Sequence, residues 1–204
     1  MTSILTGDLI NSRKNKESSW LKTLKMTLET FGTTPKNWQI YRGDSFQLEI
    51  SNPEDAFLSA LKIKATLKNI ENINVRIGIG IGEKEFNTNK ITEANGEAFI
   101  NSGIAFDNYL KKQTLAVKTP WQEIDDEFNL FFELALMTID NWTINSAEIF
   151  KIASENKEAT QKDIATLLGI SQGSVSERQK RAGIEPLMKL ETHFRKQISK
   201  KISQ

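Results

Sequence analysis

The stretch VRIGIGIGE, residues 75–83, alternates isoleucine and glycine, so period two puts Ile77, Ile79 and Ile81 on one face and Gly78, Gly80 and Gly82 on the other. It reads as a strand that packs on its isoleucine side. Three glycines in register weaken a strand, so a backbone, a ligand or a second subunit is expected close against the bare face. Upstream, residues 3–10 form an apolar strand-like run, and Trp20, Leu21, Leu24, Leu28 and Phe31 keep helical spacing. Trp38–Tyr41 and Phe46–Ile50 read as strands joined by the turn Arg42-Gly43-Asp44-Ser45, where glycine supplies the turn geometry. Asn52-Pro53-Glu54 opens a second helix, with Asn52 as capping side chain and proline at the first position. The order is βαββαβ, with a third helix at 98–110 and a short closing strand at 115–117.

That order predicts an α+β, ferredoxin-like sheet, in which a hairpin strand returns between the two strands of a strand-helix-strand crossover. The end of the first strand, with Asp8, then meets the hairpin turn, with Asp44, at one sheet edge. Two carboxylates there repel unless a cation lies between them, and Mg2+ takes a few carboxylate oxygens together with phosphate and water. Asp8 and Asp44 are therefore candidate metal ligands.

Composition bounds the alternatives. The 204 residues are 38% hydrophobic and 26% charged, enough for one large or two small cores. No stretch approaches the roughly 18 apolar residues of a membrane span, and the first apolar run is followed, not preceded, by positive charge, so a cytoplasmic protein is expected. With no cysteine and one histidine, His193, disulfides and a zinc shell are excluded. Charge is sorted along the chain: residues 120–158 hold two basic residues against nine acids, and residues 159–204 hold nine against four. Such a basic end suits a polyanionic partner.

After Pro120 the strand signals stop, which sets a boundary between residues 1–119 and an all-helical part, 120–204. Residues 128–154 read as one or two long helices. In QKDIATLLGISQGSVSERQKRAG, residues 161–183, Ala165 lets two helices approach and Gly169 allows the turn between them. Ile164, Leu168, Ile170 and Val175 supply the apolar contacts. This segment, about 160–182, resembles the helix-turn-helix of bacterial transcription factors, whose second helix lies in the major groove. The resemblance makes Gln172, Ser174, Ser176 and Arg178 candidates for base contact, and Lys162, Lys180 and Arg181 for phosphate contact. Gln179 stands where such motifs commonly carry an apolar residue. Farther on, Leu187, Leu190, Phe194, Ile198 and Ile202 share a helical face, either completing the core or forming a homodimer seam. His193, beside it, is expected to be solvated or capping.

The blocks TGDLINS (6–12), YRGDSFQLEI (41–50), VRIGIGIGE and NGEAFINSGIAFDNY (95–109) resemble, in order and separation, those of class III nucleotide cyclases and related palm domains. The resemblance implies Mg2+ on Asp8 and Asp44, and a nucleotide beside Leu9, Ile10, Asn11, Gly43, Gly78, Gly80 and Asn101. In that family the helix after the glycine strand also supplies an arginine for the transferring phosphates. Here no arginine or lysine follows until Lys111, and Arg13, Arg42 or Arg76 compensates only if aimed at the same edge. Nearly the full chain resembles the SatD family of bacterial proteins. The reading is a DNA-binding transcriptional regulator whose cyclase-like part senses a nucleotide with Mg2+. The alternatives are a nucleotide-processing enzyme targeted by its helix-turn-helix, and a non-catalytic module whose glycine face pairs subunits.

Overall fold

The computed structural model describes residues 1–14, 17–86 and 88–204. Strands β1 (Thr2–Ile10), β2 (Trp38–Tyr41), β3 (Ser45–Ile50), β4 (Asn74–Gly82) and β5 (Leu115–Lys118) form one mixed sheet in the order β2-β3-β1-β4-β5. β1 runs antiparallel to both β3 and β4, and β4 parallel to β5. Helices α1 (Glu17–Glu29), α2 (Ala56–Lys68) and α3 (Glu97–Ile104) alternate with the strands. Then come α4 (Gln122–Ile139), α5 (Ile144–Glu155), α6 (Gln161–Leu168), α7 (Gln172–Ala182) and α8 (Ile184–Ile202). The chain is thus α+β, and no helix among the described residues is long and apolar enough to cross a membrane.

Local chemistry accounts for the joints. The β2–β3 turn holds Arg42 and Gly43 at φ of 51° and 91°, a conformation glycine adopts freely. Before α2, Pro53–Asp55 make a 3-10 turn, and Asn52 does not cap it with its side chain as expected. The Asp55 amide instead donates to the Asn52 carbonyl at 2.9 Å, so backbone closes the entry. α3 is shorter than the 98–110 helix predicted, because it widens into a π-helical turn over Ala105–Tyr109.

α2 is apolar nearly all round, as a helix must be when both sides are covered. One side meets the sheet through Leu5, Leu48 and Ile77, and the other meets the C-terminal helices. Phe57 of α2 stacks on Phe132 of α4 with ring centroids 4.6 Å apart, and Phe128 meets Phe194 of α8 edge-on at 5.0 Å. The packing is therefore continuous across Pro120. Asn129 of α4 covers the free edge of β5: its amide nitrogen donates to the Val117 carbonyl at 2.8 Å, and its oxygen accepts from the Val117 amide at 3.0 Å. Buried Asp125, in the first turn of α4, accepts from the Thr119 amide and pairs with Lys118; burial raises its pKa against the pull of those donors.

The apolar stripe of α8 belongs to this core, since Leu187, Phe194 and Ile198 are buried. Those three residues pack on the protein's own α2 and α4 and complete the core, whereas Leu190 and Ile202 of the same stripe stay partly exposed. His193 is partly solvated, with 39% of its side chain exposed, and also ties two helices together: its Nε2 lies 2.6 Å from Glu127 Oε1 and its ring packs on Phe128, which fastens α8 to α4. Lys64 is buried in α2, where Nζ donates to the Val75 carbonyl and Thr114 Oγ1 at 3.0 and 2.8 Å and pairs with Asp140 at 3.1 Å. Burial pushes its pKa down to about 8, with Asp140 opposing.

Candidate functional site

The β1–β3 register sets Asp8 opposite Ser45, next to Asp44, and the Leu9 amide donates to the Asp44 carbonyl at 3.3 Å. The two aspartates therefore share one sheet edge. The same β1 residue lies opposite Arg76 of β4, and that pairing decides the chemistry. Arg76 Nε donates to Asp8 Oδ1 at 2.9 Å and Nη2 to Oδ2 at 2.5 Å, a bidentate pair, while its guanidinium rests 5.6 Å from the centroid of Phe106. The hydrogen bond to Asp8 chiefly raises the Arg76 pKa, and Asp44 adds to it. Asp44 accepts from Ser12 Oγ at 2.5 Å. Burial raises the pKa of nearby Tyr41, Arg42 pulls it down and the Asp8 charge adds to the rise.

A Mg2+ site does not fit this arrangement. Both oxygens of Asp8 face a guanidinium that already neutralises them, and the described residues contain no cluster of three or more carboxylate or imidazole groups able to hold a metal. Arg76 supplies to Asp8 the positive charge that a metal ion would supply.

The remaining candidates around the nucleotide are dispersed. A Cβ on Gly78 would lie 2.8 Å from the Phe106 amide nitrogen, and one on Gly82 would lie 2.7 Å from that of Ala98. The glycine face is thus filled by the backbone of α3 and its π turn. This corrects the placement of a ligand on Gly78 and Gly80 and equally excludes pairing of subunits there. Asn101 is buried at the other end of β4, where Nδ2 donates to the Ile81 carbonyl at 2.7 Å. Ile81 is five residues from Arg76, or roughly 16 Å along a strand, so Asn101 serves α3 and not the aspartates. Leu9 points into the core, and Asn11 donates from Nδ2 to the Asn72 carbonyl at 3.2 Å. Ile10 and Asn11 line a separate cavity near Trp142. Gly43 stays at the turn, where a methyl group on its Cα would meet nothing within 4 Å.

The second candidate region is the pair α6 and α7. Thr160 and Asp163 form a reciprocal capping box at the start of α6, and Gly169 ends it in the left-handed region at φ 64°. Ser171 caps α7 by accepting from the Ser174 amide at 3.1 Å. Ile164, Ala165 and Val175 are buried against Ile149 of α5, with Leu168 and Ile170 packed beside them. Gln179 explains its own polarity: its Oε1 accepts from Gln161 Nε2 at 2.8 Å, tying α7 to the start of α6. Gln172, Ser174, Ser176, Lys180, Arg181 and Lys162 are exposed, but Arg178 is not among them. It is half-buried and pairs with Glu148 of α5 at 3.1 Å, so it faces sideways and not outward.

The chain matches the family model described as SatD family over residues 3–198. It belongs to the SatD family. No curated relative matches it. In this SatD chain, Arg76 is the one of the three arginines raised from sequence that the structure sets on Asp8, and its bidentate clasp is what the sequence did not show. Period two alone places Arg76 on the glycine face; its partner on β1 becomes visible only with the strand register.

Proposed function

We propose that this SatD protein binds DNA through α6 and α7 and acts as a transcriptional regulator. The observation that carries the reading is the outer face of α7. Two helices are locked by buried apolar contacts and an αL glycine, and the second presents Gln172, Ser176, Lys180 and Arg181 to solvent. Among the described residues, Lys162, Lys180 and Arg181 enter no salt bridge, which leaves three cations for phosphates. Arg178 and Arg181 line a cavity of about 370 Å3 beside the start of α5, together with Asn145, which suits a backbone phosphate at the flank of the reading helix. The helix-turn-helix resemblance supports the same assignment, and the strand order β2-β3-β1-β4 supports a ferredoxin-like scaffold in front of it. Such a regulator works in the cytoplasm. With Asp8 clasped by Arg76, a nucleotide–Mg2+ complex has no open carboxylate pair to bind, so the sheet is a scaffold in this reading and not a metal-dependent sensor.

The test is fluorescence anisotropy of the full chain with labelled genomic fragments over a series of salt concentrations. The expected result is retention at low salt and a binding slope against log salt that falls by about two in Lys180→Ala/Arg181→Ala, one for each phosphate contact removed. Absence of binding at low salt, or binding and slope unchanged in the double variant, would overturn the assignment.

A further inference from the structure

α4 spends Phe128, Phe132, Leu136 and Ile139 on the core, yet it also exposes Leu130, Leu134 and Met137, at 56, 56 and 72% of their surface. Steps of four and three residues place these in one ridge along the outer side of the helix. Next to the ridge runs a groove of about 450 Å3 between α4 and α8, with Phe131, Pro186 and Leu190 in its walls. Nothing in the fold requires this apolar surface, and contiguous exposed patches on a folded chain mark interaction sites.

The charges beside it identify the partner. Beyond the ridge, the far flank of α4 exposes Asp126 and Glu133; at the groove and beyond it, the outer flank of α8 exposes Lys189, paired with Glu185 at 2.7 Å, and then Lys196 and Lys200, which leaves that flank net basic. The two helices are antiparallel, fixed by Glu123 to Lys201 at 2.5 Å and Glu127 to His193 at 2.6 Å, with Thr138 against Gly183 at the other end. That register sets Asp126 level with Lys196 and Glu133 level with Lys189. The surface therefore reads, from side to side, acid, ridge, groove, base.

We propose that this face is a homodimer interface whose two-fold axis runs parallel to α4 and α8. Rotation about such an axis keeps height along the helices and exchanges left with right. The ridge of one copy then seats in the groove of the other, and each acidic flank meets a lysine flank at the same height. A two-fold across the helices would set acid on acid. The pattern is self-complementary in one orientation only, as an isologous contact requires. Its extent fits a reversible contact: α4 has 18 residues, about 27 Å long, and two helices are about 20 Å wide, a flat projection of about 540 Å2 against the ~800 Å2 per partner of a standard interface. The same axis brings both α7 helices to one end of the dimer, an arrangement suited to paired half-sites. This last step rests on the DNA reading, whereas the dimer does not.

Sedimentation velocity of the full chain at micromolar concentration, without DNA, tests the proposal. The expected result is a species of twice 23.1 kDa, and a dissociation constant raised at least about 100-fold by Leu134→Asp. Asp126→Lys is expected to weaken the dimer about 10-fold, with recovery in Asp126→Lys/Lys196→Glu. All three residues are exposed, and far-UV circular dichroism verifies each fold; the charge exchange decides the matter if the apolar variant does not fold. A monomer up to about 100 μM, a dimer indifferent to Leu134→Asp, or a charge exchange without recovery overturns the interface. Because no DNA is present, failure here is distinct from failure of the DNA reading.

Discussion

Gly80→Ala probes the seating of α3 on β4, on which the exclusion of a ligand from the glycine face depends. A Cβ at residue 80 would stand 2.6 Å from Ser102 Cα and overlap the Ser102 amide nitrogen and the Ala98 carbonyl oxygen. All three are backbone, so no side-chain rotation relieves the clash, and α3 must retreat by about 1 Å. Retreat of that size breaks the Thr6–Ser102 hydroxyl contact, now 3.0 Å, and the Asn101–Ile81 hydrogen bond, now 2.7 Å, at about 1 kcal/mol each. A 1 Å gap beneath a helix about 12 Å long and 8 Å wide opens about 100 Å3, worth about 2 kcal/mol at ~24 cal/mol per Å3. The expected loss is about 4 kcal/mol out of the 5–15 kcal/mol typical of a folded domain. Urea titration followed by tryptophan fluorescence measures it. Gly103→Ala is the internal control: it lies in the same helix with nothing within 4 Å of a Cβ, so alanine there is expected to gain about 0.5–1 kcal/mol from helix propensity. A loss below about 1 kcal/mol in Gly80→Ala refutes the packing and reopens the glycine face to a ligand.

Lys64 makes stability depend on pH. Its folded pKa of about 8 lies below the unfolded 10.5, so the unfolded state holds the extra proton between those values. Stability therefore rises with pH across that window, by up to about 3 kcal/mol relative to Lys64→Met; a wild-type minus variant difference that is flat from pH 8 to 10.5 contradicts the assignment. Arg76→Leu removes the guanidinium that pairs with Asp8, and is expected to cost about 1–2 kcal/mol while creating Mn2+ binding measurable by calorimetry; equal Mn2+ affinity in the unmodified chain would show that Arg76 does not stand in for a metal at Asp8. Gly169→Ala, at φ 64° in open space, is expected to cost about 1 kcal/mol of conformational strain alone in thermal unfolding, and a neutral outcome would mean the α6–α7 turn is not fixed as described.

The legibility of this chain in its sequence follows the range of the forces involved. Residues 172–182 are legible as a helix end to end because Ser171, Gly183 and the residues between them act through local hydrogen bonds. The meeting of Asp8 with Asp44 is also legible, since the hairpin and the order of elements bring those residues to one edge. The role of Gly78, Gly80 and Gly82 is only half legible. Their small size implies close approach, but a ligand, a second subunit and the chain's own α3 all leave the same mark on a strand. The α8 stripe is likewise half legible: helical spacing shows that a face is apolar and leaves open which neighbour covers it, the core or a second copy, and it gives no sign of the His193–Glu127 contact.

The sequence by itself thus determined the order of strands and helices, the turn at Gly169 and the absence of thiol chemistry, all of which depend on residues near one another or on composition. Tertiary structure alone decided that Arg76 clasps Asp8, that α3 lies on the glycines, and that Leu130, Leu134 and Met137 remain uncovered. Those outcomes turn on strand register and helix docking, where residues far apart in the chain come within a few ångströms and a shift of one position would exchange every partner.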